Sequence, residues 1–202
     1  MQAFIDACTS NTLPARISVV ISNNPGAAGL QRAAEAGIES RVINHRDYSS
    51  REAFDEALVA QLQPFDVDVV VLAGFMRILS AAFIEPFAGR LFNIHPSLLP
   101  KYPGLNTHQR AVDAGDDETG ATVHFVTQEL DGGPPVLQAA EEIRAGDTAQ
   151  DLAERVRTLE HIIYPTAVHW FLQGRLQLDD GRALLDGKPL APTGIRYTEL
   201  LQ

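Results

Sequence analysis

The chain has 202 residues, 45% of them hydrophobic, which suits one α/β domain with a normal buried core. With 16 Lys and Arg against 26 Asp and Glu, the formal charge is −10; such a surface repels phosphate backbones, so nucleic acid is not an expected partner. One cysteine, Cys8, excludes an internal disulfide and suits a reducing cytoplasm, and neither a signal peptide nor an apolar run near the ~18 residues of a membrane span is visible.

Met1 to Cys8 reads as a helix from its first residue. Ile17 to Ile21 is a short β-branched strand, and Ala27 to Ala36 a helix stopped by Gly37. Ser40 to Ile43 is a weaker strand. Ser49-Ser50-Arg51-Glu52 resembles a capping box opening a helix that runs to about Leu62. Val67 to Leu72 is near-continuously apolar, as expected of a parallel strand covered on both faces. Arg77 to Phe87 is expected to be helical, followed by a strand at Leu91 to Ile94. His108 to Ala114 is a helix ended by Gly115. Ala121 to Val126 alternates, with Thr122 and His124 on one face, and Val136 to Ile143 is a further strand. Thr148 to Leu172 is the longest helical stretch, which Pro165 should kink or divide. Asp179-Asp180-Gly181 marks a small hairpin. Strand–helix alternation predicts an open, mostly parallel sheet with helices on both faces, and ligands in such folds sit at the carboxyl ends of the strands.

The run Asn93-Ile94-His95-Pro96-Ser97-Leu98-Leu99-Pro100 stands at one such end. Side chains alternate along a strand, so Asn93 and His95 share a face. Pro96 and Pro100 stiffen the following loop. With Asp131-Gly132-Gly133 they supply what acyl transfer needs: an oxyanion donor, a proton-transfer group and a carboxylate to hold it. The same residues also suit a strand-end cap and a plain turn. Gly132 and Gly133 let the backbone approach a ligand closely. No Cys or His pair stands at metal spacing, so no metal is expected, and the absence of G-x-G-x-x-G leaves a nicotinamide cofactor without support.

FNIHPSLLPKYPGLNTHQRA at 92–111 and GATVHFVTQELDGGPPVLQA at 120–139 resemble the folate-dependent formyltransferases, as do VVVLAGFMRILSAAFIEPFAGR at 69–90 and TLEHIIYP at 158–165. The similarity extends over nearly the whole chain. It is greatest to the branch that formylates the glycinamide amine of a phosphoribosyl ribonucleotide in purine synthesis. The resemblance implies a Rossmann-like single domain over 1–202 that uses 10-formyltetrahydrofolate as co-substrate and works in the cytoplasm as a monomer or homodimer on small molecules, away from membranes. It places the catalytic trio on Asn93, His95 and Asp131. Asn93 would donate to the oxyanion, His95 would move the proton or stabilise the charge, and Asp131 would hold His95 and favour its charged form. It implies folate contacts at Met76, Arg77, Ile78 and Leu79 and at His124, Val126 and Glu129, with Arg51 toward an anionic folate tail. Glu160 and Pro96 would meet the ribonucleotide. Apart from the resemblance, Met76–Leu79 reads as core, Arg51 and Glu160 as solvated helix residues, and His124 as a polar lining residue. A deformylase passing the formyl group to water, or a non-catalytic folate-binding fold, would use the same core.

The resembled family opens with an apolar strand and a Gly/Ser/Asn-rich loop whose N–H groups bind the substrate phosphate. Nothing in this sequence matches them, and Ser22 to Gly26 reads as a turn. The expectation is an apolar groove beside Ile17–Ile21 or Val67–Leu72, with weak hold on the phosphoribosyl group.

Overall fold

The computed structural model describes residues 1–201. In chain order the elements are α1 (Gln2–Thr9), β1 (Val20–Ser22), α2 (Ala28–Glu35), β2 (Ser40–Val42), α3 (Arg51–Leu62), β3 (Val70–Leu72), α4 (Ala81–Ile84), β4 (Leu91–His95), α5 (Thr107–Ala114), β5 (Glu118–Phe125), β6 (Pro135–Glu142), α6 (Ala149–Leu172), β7 (Leu176–Asp179), β8 (Arg182–Leu185), β9 (Lys188–Pro189) and β10 (Ile195–Arg196). β10, β6, β5, β4 and β3 form one sheet in that order; β1 pairs with β2, and β7, β8 and β9 form a separate antiparallel ribbon around the Asp180-Gly181 turn. Pairs β1–β2, β3–β4 and β6–β10 are parallel, whereas β5 runs antiparallel to both its neighbours.

Strand alternation divides the apolar residues between two cores. Val69, Val71 and Phe92 pack with Phe4 of α1 and with Val156, Ile163 and Val168 of α6. Val70, Leu72 and Leu91 pack with Phe54 and Leu58 of α3 and with Phe83 and Ile84 of α4. Helices therefore cover both faces, as the alternation predicts. Tyr164 of α6 reaches into the sheet, where its hydroxyl lies 2.9 Å from the Leu72 carbonyl and 2.8 Å from that of Phe92. It ties together the ends of β3 and β4.

Several elements differ from expectation. Arg77 to Phe87 is not one helix: α4 starts at Ala81, and a 3-10 turn over Glu85–Phe87 follows. The stretch before α4 is held as loop by the buried Asp55 carboxylate of α3, which accepts from Ser80 N–H at 2.6 Å. The cap of α3 is Ser50, accepting from Ala53 N–H, with no reciprocal Glu at the third helical position, so it is a simple cap and not a box. Pro165 does not divide α6, which runs unbroken for 24 residues. The carbonyl its ring leaves without a donor belongs to exposed His161, where water can reach it. The return of β10 to the edge of β6 has no signal in its two residues.

Among the described residues neither β1 nor β3 has a strand on its second edge. Both are only partly buried throughout, whereas β5 is buried at all but its first residue. Ile17 joins the core that holds Val69 and Val71, and Ile21 the core that holds Val70 and Leu72. The two strands thus belong to one layer, interrupted between them.

Candidate active site

β4 carries Leu91, Asn93 and His95 on the α3–α4 face, so its last two polar side chains emerge where the apolar cluster ends. β5 lies alongside with Asn93 opposite His124 and His95 opposite Thr122. Register alone therefore assembles a polar patch from two strands. Asn93 Nδ2 lies 3.2 Å from His124 Nε2, and His124 Nδ1 lies 2.8 Å from the Phe125 carbonyl. A carbonyl only accepts, so Nδ1 carries the proton and Nε2 accepts from the Asn93 amide. Burial of the ring depresses the His124 pKa below its ordinary value, against the opposing pull of the Phe125 carbonyl and Asp131, and keeps the ring neutral.

His95 is held by acceptors at both nitrogens. Its Nε2 lies 2.8 Å from the Tyr102 carbonyl, and its Nδ1 lies 3.4 Å from Asp131 Oδ2. Asp131 adopts a left-handed conformation (φ 51°) that turns its carboxylate back under the loop. There Oδ2 accepts from Gly104 N–H at 2.8 Å, and Oδ1 lies 3.9 Å from His124 Nε2. The side chains of His95 and Asp131 are 6% and 8% exposed, so the pair is shielded from bulk screening. Asn93 is hydrogen-bonded to His124 and His95 faces Asp131, and the two pairs lie side by side.

A shallow cleft opens over this cluster, lined by Leu72, Ile78, Leu79, Ile84 and Val126 and by Gln128, Glu129 and Leu130. Arg77 lines it too; its guanidinium lies 5.3 Å from the centre of the Phe54 ring, and its Nε is buried without a hydrogen-bond partner. Of the residues singled out in the sequence, the cleft brings together Asn93, Asp131, His124, Arg77, Ile78, Leu79, Val126 and Glu129, with His95 directly behind Asp131. Besides His95, four lie outside its lining. Met76 points outward at 75% exposure, and Arg51 pairs with Glu52 at the start of α3. Pro96 is half-buried beside His95. Glu160 lies on α6 near the Met1 ammonium, and its burial raises its carboxyl pKa against the pull of Arg157 and that ammonium. A larger open pocket beyond β2 is lined by Arg41, Asn44, Asp47 and Gln61, without a comparable cluster.

At Gly133 the chain itself sets a requirement: a Cβ there would stand 1.9 Å from the Phe125 carbonyl oxygen, so this glycine lets the loop close on β5. Tyr102 O and Gly104 N–H are functional groups that the sequence does not reveal. Their trace is indirect: Pro96, Pro100 and Pro103 stiffen the loop that presents them. Among the described residues no group of three or more His, Cys, Asp or Glu is arranged to hold a metal ion, and no helix is long and apolar enough to cross a membrane.

The geometry has its counterpart in known proteins. The family model described as formyl transferase matches residues 1–168. The chain belongs to the formyl transferase family. Phosphoribosylglycinamide formyltransferase of Escherichia coli (strain K12) is 52% identical over 199 residues, covering 98% of this chain and 94% of that protein. The human trifunctional purine biosynthetic protein adenosine-3 is 46% identical over 180 residues, which cover 89% of this chain and 18% of that much longer protein. The solved phosphoribosylglycinamide formyltransferase of Coxiella burnetii superposes with a TM-score of 0.92 at 46% identity, over 97% of this chain and 92% of that one.

Proposed function

We infer that this chain, as a single domain over 1–202, transfers a formyl group from 10-formyltetrahydrofolate to the glycinamide amine of phosphoribosylglycinamide, a step of purine biosynthesis. The observation that carries the reading is the cluster of Asn93, His124, Asp131 and His95 at a cleft with a largely aliphatic lining. Relatives such as those of Escherichia coli and Coxiella burnetii bear the transferase name, which favours transfer over release of formate to water or a non-catalytic fold. The work is assigned to the cytoplasm, to a monomer or homodimer, and to small molecules without a metal.

The cleft suits a flat, partly polar pterin: much of its lining is aliphatic, and Arg77 stands at its wall. Ile78, Leu79 and Val126 would pack against the ring, with Arg77, His124 and Glu129 around its polar edge, Met76 at the mouth and Arg51 toward the tail. Glu160 and Pro96 are assigned to the ribonucleotide. When bound, the donor supplies the formyl carbon that the amine attacks directly; as the new C–N bond forms, the bond from that carbon to the donor's N10 breaks, and the proton the amine gives up ends on that nitrogen.

Asn93 has one Nδ2 hydrogen committed to His124 and a second left over. That second hydrogen is the donor to negative charge developing on the formyl oxygen. His95 assists proton transfer or, when charged, stabilises the same oxygen, and Asp131, fixed by Gly104 N–H, holds the imidazole in place. Purified protein given both substrates is expected to yield formylated ribonucleotide, with His95→Ala and Asp131→Ala lowering kcat by ~100-fold or more while moving KM little. Formate release without transfer, or full turnover in His95→Ala, would sink the reading.

A further inference from the structure

His95 and Asp131 are both fixed by main-chain groups of one loop, the stretch from Pro96 to Asn106: Tyr102 O accepts from His95 Nε2–H, and Gly104 N–H donates to Asp131. The precision of the pair is therefore no better than that of the loop. Two buried polar side chains outside the cluster grip it from below. Thr122 of β5 is 0% exposed and Gln138 of β6 is 1% exposed. Strand register sets His95, Thr122 and Gln138 in one row across β4, β5 and β6. Thr122 Oγ1 accepts from Leu99 N–H at 3.0 Å and from Gln138 Nε2 at 3.0 Å, so its own hydrogen goes to the Ser97 carbonyl at 2.7 Å. The other Gln138 Nε2 hydrogen goes to the Leu99 carbonyl at 2.7 Å. Ser97 Oγ then donates to the Lys101 carbonyl at 2.6 Å, one residue before Tyr102. The loop lies directly on the strands: a Cβ on Gly120 would stand 2.7 Å from the Leu98 side chain.

We propose that Thr122 and Gln138 are positioning residues for the transfer reaction, setting the loop height at which Tyr102 O and Gly104 N–H align His95 with Asp131. The inference rests on the formyl-transfer reading. Its physical basis is saturation: Thr122 Oγ1 donates once and accepts twice, so the Ser97–Leu99 backbone has one position that satisfies all the partners, and any other leaves a buried polar group unpaired. A packing role alone would be met by valine, which has the shape of threonine without the hydroxyl.

The test compares Thr122→Val, Thr122→Ser and Gln138→Met with the unaltered protein. Thr122→Val is expected to lower kcat by ~10- to 100-fold per folded molecule, as a small misplacement of a catalytic pair does. KM for both substrates should stay within about threefold, and the pH–kcat profile should be displaced. Thr122→Ser should recover most of the lost rate, and Gln138→Met should show a smaller effect of the same kind, which also serves if Thr122→Val does not fold. Loss of thermal stability with kcat and both pH limbs unchanged would overturn the proposal and leave a structural role. A second readout needs no turnover: the His95 Nε2–H resonance should exchange slowly in the unaltered protein and rapidly in Thr122→Val or Gln138→Met. If the unaltered protein transfers no formyl group, the functional reading fails, while that resonance still decides whether Thr122 and Gln138 position His95; equal exchange in all variants overturns the proposal.

Discussion

Ser97 sits two residues after His95 in a motif whose type invites a covalent reading, and its surroundings argue against one. It is 1% exposed, and its hydroxyl hydrogen is directed at the Lys101 carbonyl. No base stands ready to take that proton, so the serine is a poor nucleophile. Rapidly quenched enzyme turning over both substrates should show no formyl adduct on Ser97 by mass spectrometry; a trapped adduct would refute direct attack by the amine. His124 leads to a different measurement. Its folded pKa is depressed below the ordinary 6.5. In the window below 6.5 the unfolded chain binds the proton more readily than the folded one, so stability falls as pH drops through that window and is whole above it. Thermal unfolding followed from about pH 7 down to about pH 5 should decline more steeply for the unaltered protein than for His124→Asn. Parallel curves would mean that His124 is not the group responsible. Asn93 and His95 were legible on one face because alternation along a strand is strict. Tyr102 O and Gly104 N–H were not, because every residue carries a carbonyl and nearly every one an N–H, and only the path of the loop selects among them.

At the scale of elements, most helices and strands follow from periodicity, and the exceptions have local causes. The segment Arg77–Phe87 has helical spacing, yet its first turns are replaced by loop because Asp55, 25 positions before Ser80, accepts the Ser80 N–H from another helix. A contact that distant leaves no pattern in the segment itself. The same displacement leaves Arg77 and Ile78 lining the cleft. Tyr164 shows the converse: a helix residue of ordinary appearance that fixes two strands at once through the Leu72 and Phe92 carbonyls. Its burial drives the phenol pKa well above the ordinary value, so the hydroxyl stays protonated and able to donate. Tyr164→Phe keeps the ring packed against Phe4 but strands buried acceptors, and should cost about 1–3 kcal/mol in denaturant unfolding. A change below about 0.5 kcal/mol would show that the carbonyls find other donors.

The whole molecule is two cores divided by a sheet, and the sheet has an interruption whose edges can be assigned atom by atom. Val20 N–H turns to Glu39 on the β2 side, and Val70 N–H to Arg90 on the β4 side. Alternate residues of a parallel strand bond to opposite sides, so Ile21 and Val71 N–H turn toward the interruption. The partial burial of β1 and β3 follows from the same arrangement. Met1 lies where α1 begins, close to Gly29 of α2 and within the field of Glu160 of α6, at the end of the layer where α2 leaves β1. An apolar strand parallel to both neighbours, joined through a glycine-containing turn ahead of Met1, would pair these N–H groups and cover Val20, Ile21, Val70 and Val71. Such an extended chain should unfold several degrees higher, since ~1 kcal/mol moves Tm by about 2–4 °C at this size. The amides of Ile21 and Val71 should exchange more slowly in it, and the N–H groups of the turn should tighten the hold on the phosphoribosyl group. Equal Tm, equal exchange and equal ribonucleotide affinity with and without the added strand would show that the layer is complete as it stands.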